Sequence, residues 1–224
     1  MEQFDQAIAR SQESIISTNK VLKNTYMLLS ATLGFSAVTA VISMALAVPV
    51  WTYIASIIVS MVLGMFVLPR TANSAAGIGM IFLITGLMGF GLGAILQIYA
   101  AVPQGPQVIA TAFGGTAAIF LGLSGYALTS RKDFSFMGGF LMAGFLVVLL
   151  AVIGNLFFAI PALSLGISAV VILLMSGFIL FDTSRIIHGG ETNYIMATYG
   201  LYLSIFNIFI NLLHLLMAFA GGDD

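Results

Sequence analysis

The chain of 224 residues contains no cysteine, which excludes disulfides, thiolate nucleophiles and thiolate metal sites and leaves the redox compartment unreadable. Charge is nearly as scarce, since Asp, Glu, Lys and Arg make up 7% of the residues against about 25% in soluble domains. The 7 basic and 8 acidic side chains almost cancel, and no basic cluster is present to bind nucleic acid. Porin-like alternation of polar and apolar residues is also missing, which argues against a membrane β-barrel. What fills the chain instead is apolar: 60% of residues are hydrophobic and the mean hydropathy is +1.12.

The apolar residues fall into seven segments, at 25–47, 51–68, 77–100, 107–130, 136–158, 162–184 and 194–220. Each approaches the ~20 residues a helix needs to cross a hydrocarbon core of about 30 Å. Backbone groups in lipid must be satisfied within the segment, so spans of this length are helices. The expected fold class is an all-α membrane protein with seven transmembrane helices. Three regions result: a polar N-terminal tail at 1–24, a membrane domain at 25–220 and a short C-terminus at 221–224.

Every Lys and Arg (Arg10, Lys20, Lys23, Arg70, Arg131, Lys132, Arg185) lies in the tail or in the gaps after the second, fourth and sixth segments. The other gaps carry none. The positive-inside rule then predicts a cytoplasmic N-terminus and an external C-terminus ending in Asp223 and Asp224. Ala45-Leu46-Ala47 imitates a signal-peptidase site, but the apolar run before it is longer than the ~7 to 15 residues of a signal peptide, so the segment is expected to be retained. Phe4, Ile8 and Ile15 have loosely helical spacing, so the tail is either a short interfacial helix or a solvated extension. Connections are short and punctuated by Pro49, Pro103, Pro106 and Pro161, which predicts that consecutive helices pack as antiparallel neighbours. Gly86, Gly89 and Gly93, and the series Gly114, Ala118, Gly122, have the spacing that lets helix backbones approach closely, so both are expected to be packing faces.

Few residues are left for chemistry. Gly122-Leu123-Ser124-Gly125 matches the GxSG of intramembrane serine proteases, with His214 as the available base. At about 1.5 Å per residue, Ser124 lies about 10 Å and His214 about 30 Å from the basic side, too far apart for a nucleophile and its base. His188-Gly189-Gly190-Glu191 supplies too few ligands for zinc and is expected to be a turn, so neither a metal site nor a cofactor is predicted. Ser204, Asn207, Asn211 and His214 recur on one face of the last segment. Such a stripe either lines a wet path or bonds to neighbouring helices. Asp182 is the one carboxylate in or at the end of a spanning segment. It either pairs with Arg185 one turn away or faces a cavity as an ion-coordinating group, with Arg70 as a latch from the same side.

Phe181-Asp182, the basic turn after it and the string Leu201-Tyr202-Leu203-Ser204-Ile205-Phe206-Asn207-Ile208-Phe209 resemble the Bax inhibitor-1 (transmembrane Bax inhibitor motif) family. The stretches 17–26, 131–139 and 188–195 are most similar to its bacterial branch that modulates the FtsH membrane protease. The resemblance implies two three-helix layers around a central seventh helix. It implies association with FtsH and restrained degradation of membrane substrates, without catalysis by this chain. Its exposed tail, with Glu2, Phe4, Arg10, Lys20 and Lys23, is then the segment the protease grips. Other members resemble calcium leak channels controlled by paired aspartates and an arginine latch. Asp182 and Arg70 match two of these positions, Ser204 replaces the second aspartate, and Asn207 and Asn211 continue the path. One carboxylate cannot share a proton as two do, so any pH gating is expected to be weaker or shifted.

Overall fold

The computed structural model describes the backbone of residues 2–221 and the side chains of residues 18–221. The side chains of Glu2, Phe4 and Arg10, and residues Asp223 and Asp224, lie outside the described residues. Among the described residues, seven helices are long and apolar enough to cross a membrane: α1 (Glu2–Ala45), α2 (Trp51–Thr71), α3 (Ala75–Ala100), α4 (Gly105–Ser130), α5 (Gly138–Phe158, after a 3-10 turn at Ser135–Met137), α6 (Pro161–Ile187) and α7 (Tyr194–Ala220). Helical hydrogen bonding outlasts the greasy stretch at several ends. The polar run Asp182 to Arg185 stays inside α6, and α1 passes unbroken through the tail boundary expected near residue 24.

The helices form two layers of three, with α7 between them. In one layer α3 packs against both α1 and α2; in the other, α6 packs against both α4 and α5. Helix α7 touches α1 and α3 on one side and α4 and α6 on the other, while α2 and α5 lie at the flanks. Sequence order therefore does not give neighbour order at two places, because α1 packs on α3 rather than α2, and α4 on α6 rather than α5. The cause is visible in α3. A Cβ on Gly89 or Gly93 would collide with the carbonyl of Ser36 or Ala40 in α1, and one on Gly91 would lie 2.7 Å from Ser56 Cβ in α2. With glycine on both faces, α3 admits a close neighbour on each.

The corresponding expectation for α4 is overturned. Gly114, Ala118 and Gly122 are exposed, and a Cβ on either glycine would meet nothing within 4 Å. The spacing is the same as in α3, but α4 turns its other face, through Val108, Ala112, Thr116, Ser124 and Ala127, to the bundle.

Helix α2 contains one wide turn at Leu63–Val67, closed by Leu68 N–H donating to Leu63 O. Pro69 accounts for it: the ring lacks an N–H and would clash with the carbonyl four residues earlier in a regular helix. Gly64, within this turn, is where the Tyr199 ring of α7 abuts α2.

Candidate functional site

Three connections meet at one end of the bundle, here termed the basic end. The α6–α7 turn is fixed by its own backbone: Gly190 and Glu191 N–H donate to Arg185 O at 2.8 and 3.2 Å, and Gly189 takes φ +74° to reverse the chain. Asn193 caps α7 by accepting from Ile195 and Met196 N–H, while its amide donates to Ala72 O (3.1 Å) and Asn73 Oδ1 (2.8 Å) in the α2–α3 connection. Ser184 ties in the α4–α5 connection, accepting from Phe134 N–H at 2.9 Å and donating to Lys132 O at 3.3 Å. His188 Nδ1–H donates to Ser184 O at 2.9 Å. The His-Gly-Gly-Glu run is thus the chain reversal that its glycines predict.

Beneath this turn lies a cavity of about 250 Å³, lined by Asp182 and Arg185 of α6, Glu191, and Met196, Ala197, Tyr199, Gly200 and Leu203 of α7. Asp182 is half-buried, and its Oδ2 sits where a Cβ on residue 200 would be only 2.9 Å away, so Gly200 makes room for the carboxylate. Arg185 does not pair with it. Instead Arg185 reaches Glu191 at 3.6 Å and Gly190 O at 3.1 Å, with its guanidinium 5.5 Å from the centre of the Phe181 ring. Arg70 is exposed and hydrogen-bonds to the carbonyl of Phe66 on its own helix, so it forms no ion pair with Asp182 here. Among the described residues the Asp182 carboxylate has no ion-pair partner and opens onto the cavity.

The polar face of α7 divides into different uses. Asn207 and Asn211 donate to the carbonyls of Leu203 (2.9 Å) and Asn207 (2.8 Å), one turn back on the same helix. His214 Nδ1 bonds Ser168 Oγ of α6 at 2.9 Å, whereas Ser124 is buried without a hydrogen-bond partner among the described residues. No hydrogen bond joins Ser124 to His214. Ser204 is buried and does not line the Asp182 cavity. At the far end, a second hollow of about 430 Å³ lies among Gln104, Gln107, Val108, Thr111, Leu216 and Ala220.

Sequence reasoning overlooked the strongest polar anchor of α7. Tyr202, 1% exposed, hydrogen-bonds Ser36 Oγ of α1 at 2.7 Å and donates to Thr85 O of α3 at 3.3 Å. Nearer the basic end, Thr198 donates to Thr25 O of α1 at 3.2 Å, and the Tyr26 hydroxyl lies 3.5 Å from Thr183 Oγ1 of α6. A tyrosine hydroxyl deep in a spanning segment is the signal that was available, because a buried O–H needs a partner. Lys20 and Lys23 are exposed on α1.

Comparison with known proteins places this architecture among relatives. A family profile described as "Inhibitor of apoptosis-promoting Bax1" matches residues 18–221. The chain is 52% identical to a protein of Escherichia coli K12 named "Modulator of FtsH protease YccA", over 98% of this chain and all of that one. It is 50% identical to an uncharacterized membrane protein of Vibrio cholerae, covering 95% of this chain and 96% of the other. An uncharacterized protein of Pseudomonas aeruginosa is 46% identical over 99% and 97% of the two chains.

Proposed function

Because this chain belongs to the Bax inhibitor-1 family, whose profile covers it from residue 18 to 221, we propose that it is an inner-membrane modulator of an FtsH-type protease. The observation that carries the proposal is the 52% identity, spread over the full length, with a relative whose name states that role. The protein associates with the protease within the membrane and slows its attack on membrane substrates, without catalysis of its own. The N-terminus is cytoplasmic and the C-terminus periplasmic, in keeping with the confinement of Lys and Arg to the tail and alternate connections.

The tail is the part we assign to the protease. The apolar span of α1 begins at Thr18, so residues 2–17 precede it on the same helix, and Lys20 and Lys23 stand exposed at its start. Removing residues 1–17, rather than the whole polar segment to residue 24, leaves the Thr25 and Tyr26 contacts intact. The test is the degradation rate of a membrane substrate by FtsH in proteoliposomes, with the full chain, the chain lacking residues 1–17, or neither. Slowing that requires residues 1–17 supports the proposal; an unchanged rate with the full chain overturns it.

A cation leak past Asp182 is the second reading, favoured by one observation: a carboxylate with no ion-pair partner that opens onto a cavity. Asn207 and Asn211 spend their amide donors on their own helix, and Arg70 stands away from Asp182, so the path and latch of that reading are not assembled in this conformation.

A further inference from the structure

Most of the arginines at the basic end are committed. Arg70 bonds to Phe66 O, and Arg185 is held by Glu191 and Gly190. Arg131 and Lys132 differ: both are exposed, and among the described residues neither cationic group has a hydrogen-bond or ion-pair partner. They occupy the four-residue connection between the spans Gly105–Ser130 and Ser135–Phe158, which is where the chain leaves and re-enters the membrane.

This corner is built rather than loose. Arg131 closes α4 in the left-handed region at φ 49°, its N–H donating to Ala127 O at 3.0 Å. Ser184 holds both Phe134 N–H and Lys132 O, and the Phe134 ring lies 6.1 Å from that of Tyr126. Asp133 is turned into the bend, where its Oδ1 accepts Ser135 N–H at 2.9 Å. The two aromatic side chains that follow point outward: Phe136 is 78% exposed and Phe140, about one helical turn on, 74%. Two exposed cations in the connection are therefore followed, in the first turns of the next span, by two exposed aromatic rings.

That order, cation then apolar ring along the membrane normal, matches an anionic phospholipid, with its phosphate in the headgroup layer and its chains below. We propose that Arg131, Lys132, Phe136 and Phe140 form a docking site for one anionic phospholipid, with phosphatidylglycerol as its chemical type. The cations take the phosphate and the two phenylalanines take the first methylenes of the acyl chains.

The probe is dioleoyl phosphatidylglycerol, titrated against dioleoyl phosphatidylcholine, with bound lipid counted on the full-length protein by native mass spectrometry from detergent. The expected result is preferential retention of phosphatidylglycerol, weakened about tenfold in Arg131→Gln/Lys132→Gln and little altered in Lys20→Gln/Lys23→Gln. Phe136→Ser should lower retention while keeping the preference for the anionic headgroup. Should Arg131→Gln disturb the turn, Lys132→Gln alone, with circular dichroism matching the parent, gives the same comparison at smaller amplitude. Equal retention of the two lipids, or an equal loss in the Lys20/Lys23 variant, overturns the site. Displacement by glycerol phosphate at the same concentration overturns the part assigned to the phenylalanines.

Discussion

Tyr202 places its hydroxyl where three helices meet, and the geometry predicts what its loss does. Tyr202→Phe removes the bonds to Ser36 and Thr85 and leaves Ser36 Oγ buried without its partner. The expected destabilisation is about 1 kcal/mol, near the upper part of the range for polar contacts between membrane helices. Ser36→Ala added to Tyr202→Phe should then cost little more, and a double-mutant cycle on unfolding in mixed micelles measures that coupling. A second expectation concerns Asp133, which lies outside the spans. Hydrogen bonds from the side chain and backbone of Ser135 hold its carboxyl below the usual value of 3.8, helped by the neighbouring His188 and opposed by slight desolvation. A depressed folded-state pKa means that the bend is favoured above the ordinary carboxyl range and loses that contribution as pH falls through it. Amide exchange of Ser135 should therefore lose protection on acidification below pH 4 or so, and Asp133→Asn should remove that pH dependence.

At the scale of helices, one sequence pattern has two outcomes, and glycine substitution separates them. Gly89→Ala drives a methyl group into the Ser36 carbonyl, a backbone atom that cannot swing aside, so the α1–α3 pair should separate at a cost of about 2 kcal/mol. Gly114→Ala meets open space and should be neutral or stabilising by up to about 0.5 kcal/mol through helix propensity. Comparing both unfolding midpoints checks the contrast. It also shows why the spans were legible in the sequence and their partners were not. Hydropathy is a property of each segment alone, so six of the seven helices were found to within a few residues and the first, expected from residue 25, begins at Glu2, whereas which face of α4 is covered depends on helices distant in the chain. The same division holds at the site. Asp182 stood out as a lone carboxylate in an apolar segment, but Gly200 beneath it and Glu191, which draws Arg185 away, come from across the turn and carried no local signal.

For the whole molecule, the helical tail precedes the span of α1, whereas the cavity lies between α6, α7 and their connecting turn. Helix α1 packs against the core from Val21 and Leu22 onward, Thr25 and Tyr26 bond Thr198 of α7 and Thr183 of α6, and residues 2–17 precede them on the same helix. On the reading proposed above the protease grips this extension, and among the described residues the contacts of α1 with α3, α6 and α7 at Thr25, Tyr26, Ser36 and Ala40 lie C-terminal to it. Deleting residues 1–17 should leave the thermal midpoint of the bundle within about 2 °C, a change of under ~1 kcal/mol for a domain of this size, while abolishing the slowing of FtsH. Asp182→Asn is the reciprocal probe. It removes a carboxyl group that has no ion-pair partner among the described residues and leaves the tail untouched, so co-purification with FtsH should persist while any cation flux into proteoliposomes falls. If Asp182→Asn alone abolished the slowing of FtsH while the tail deletion did not, the cavity rather than the handle would carry the regulation, and the assignment of the two regions would be reversed.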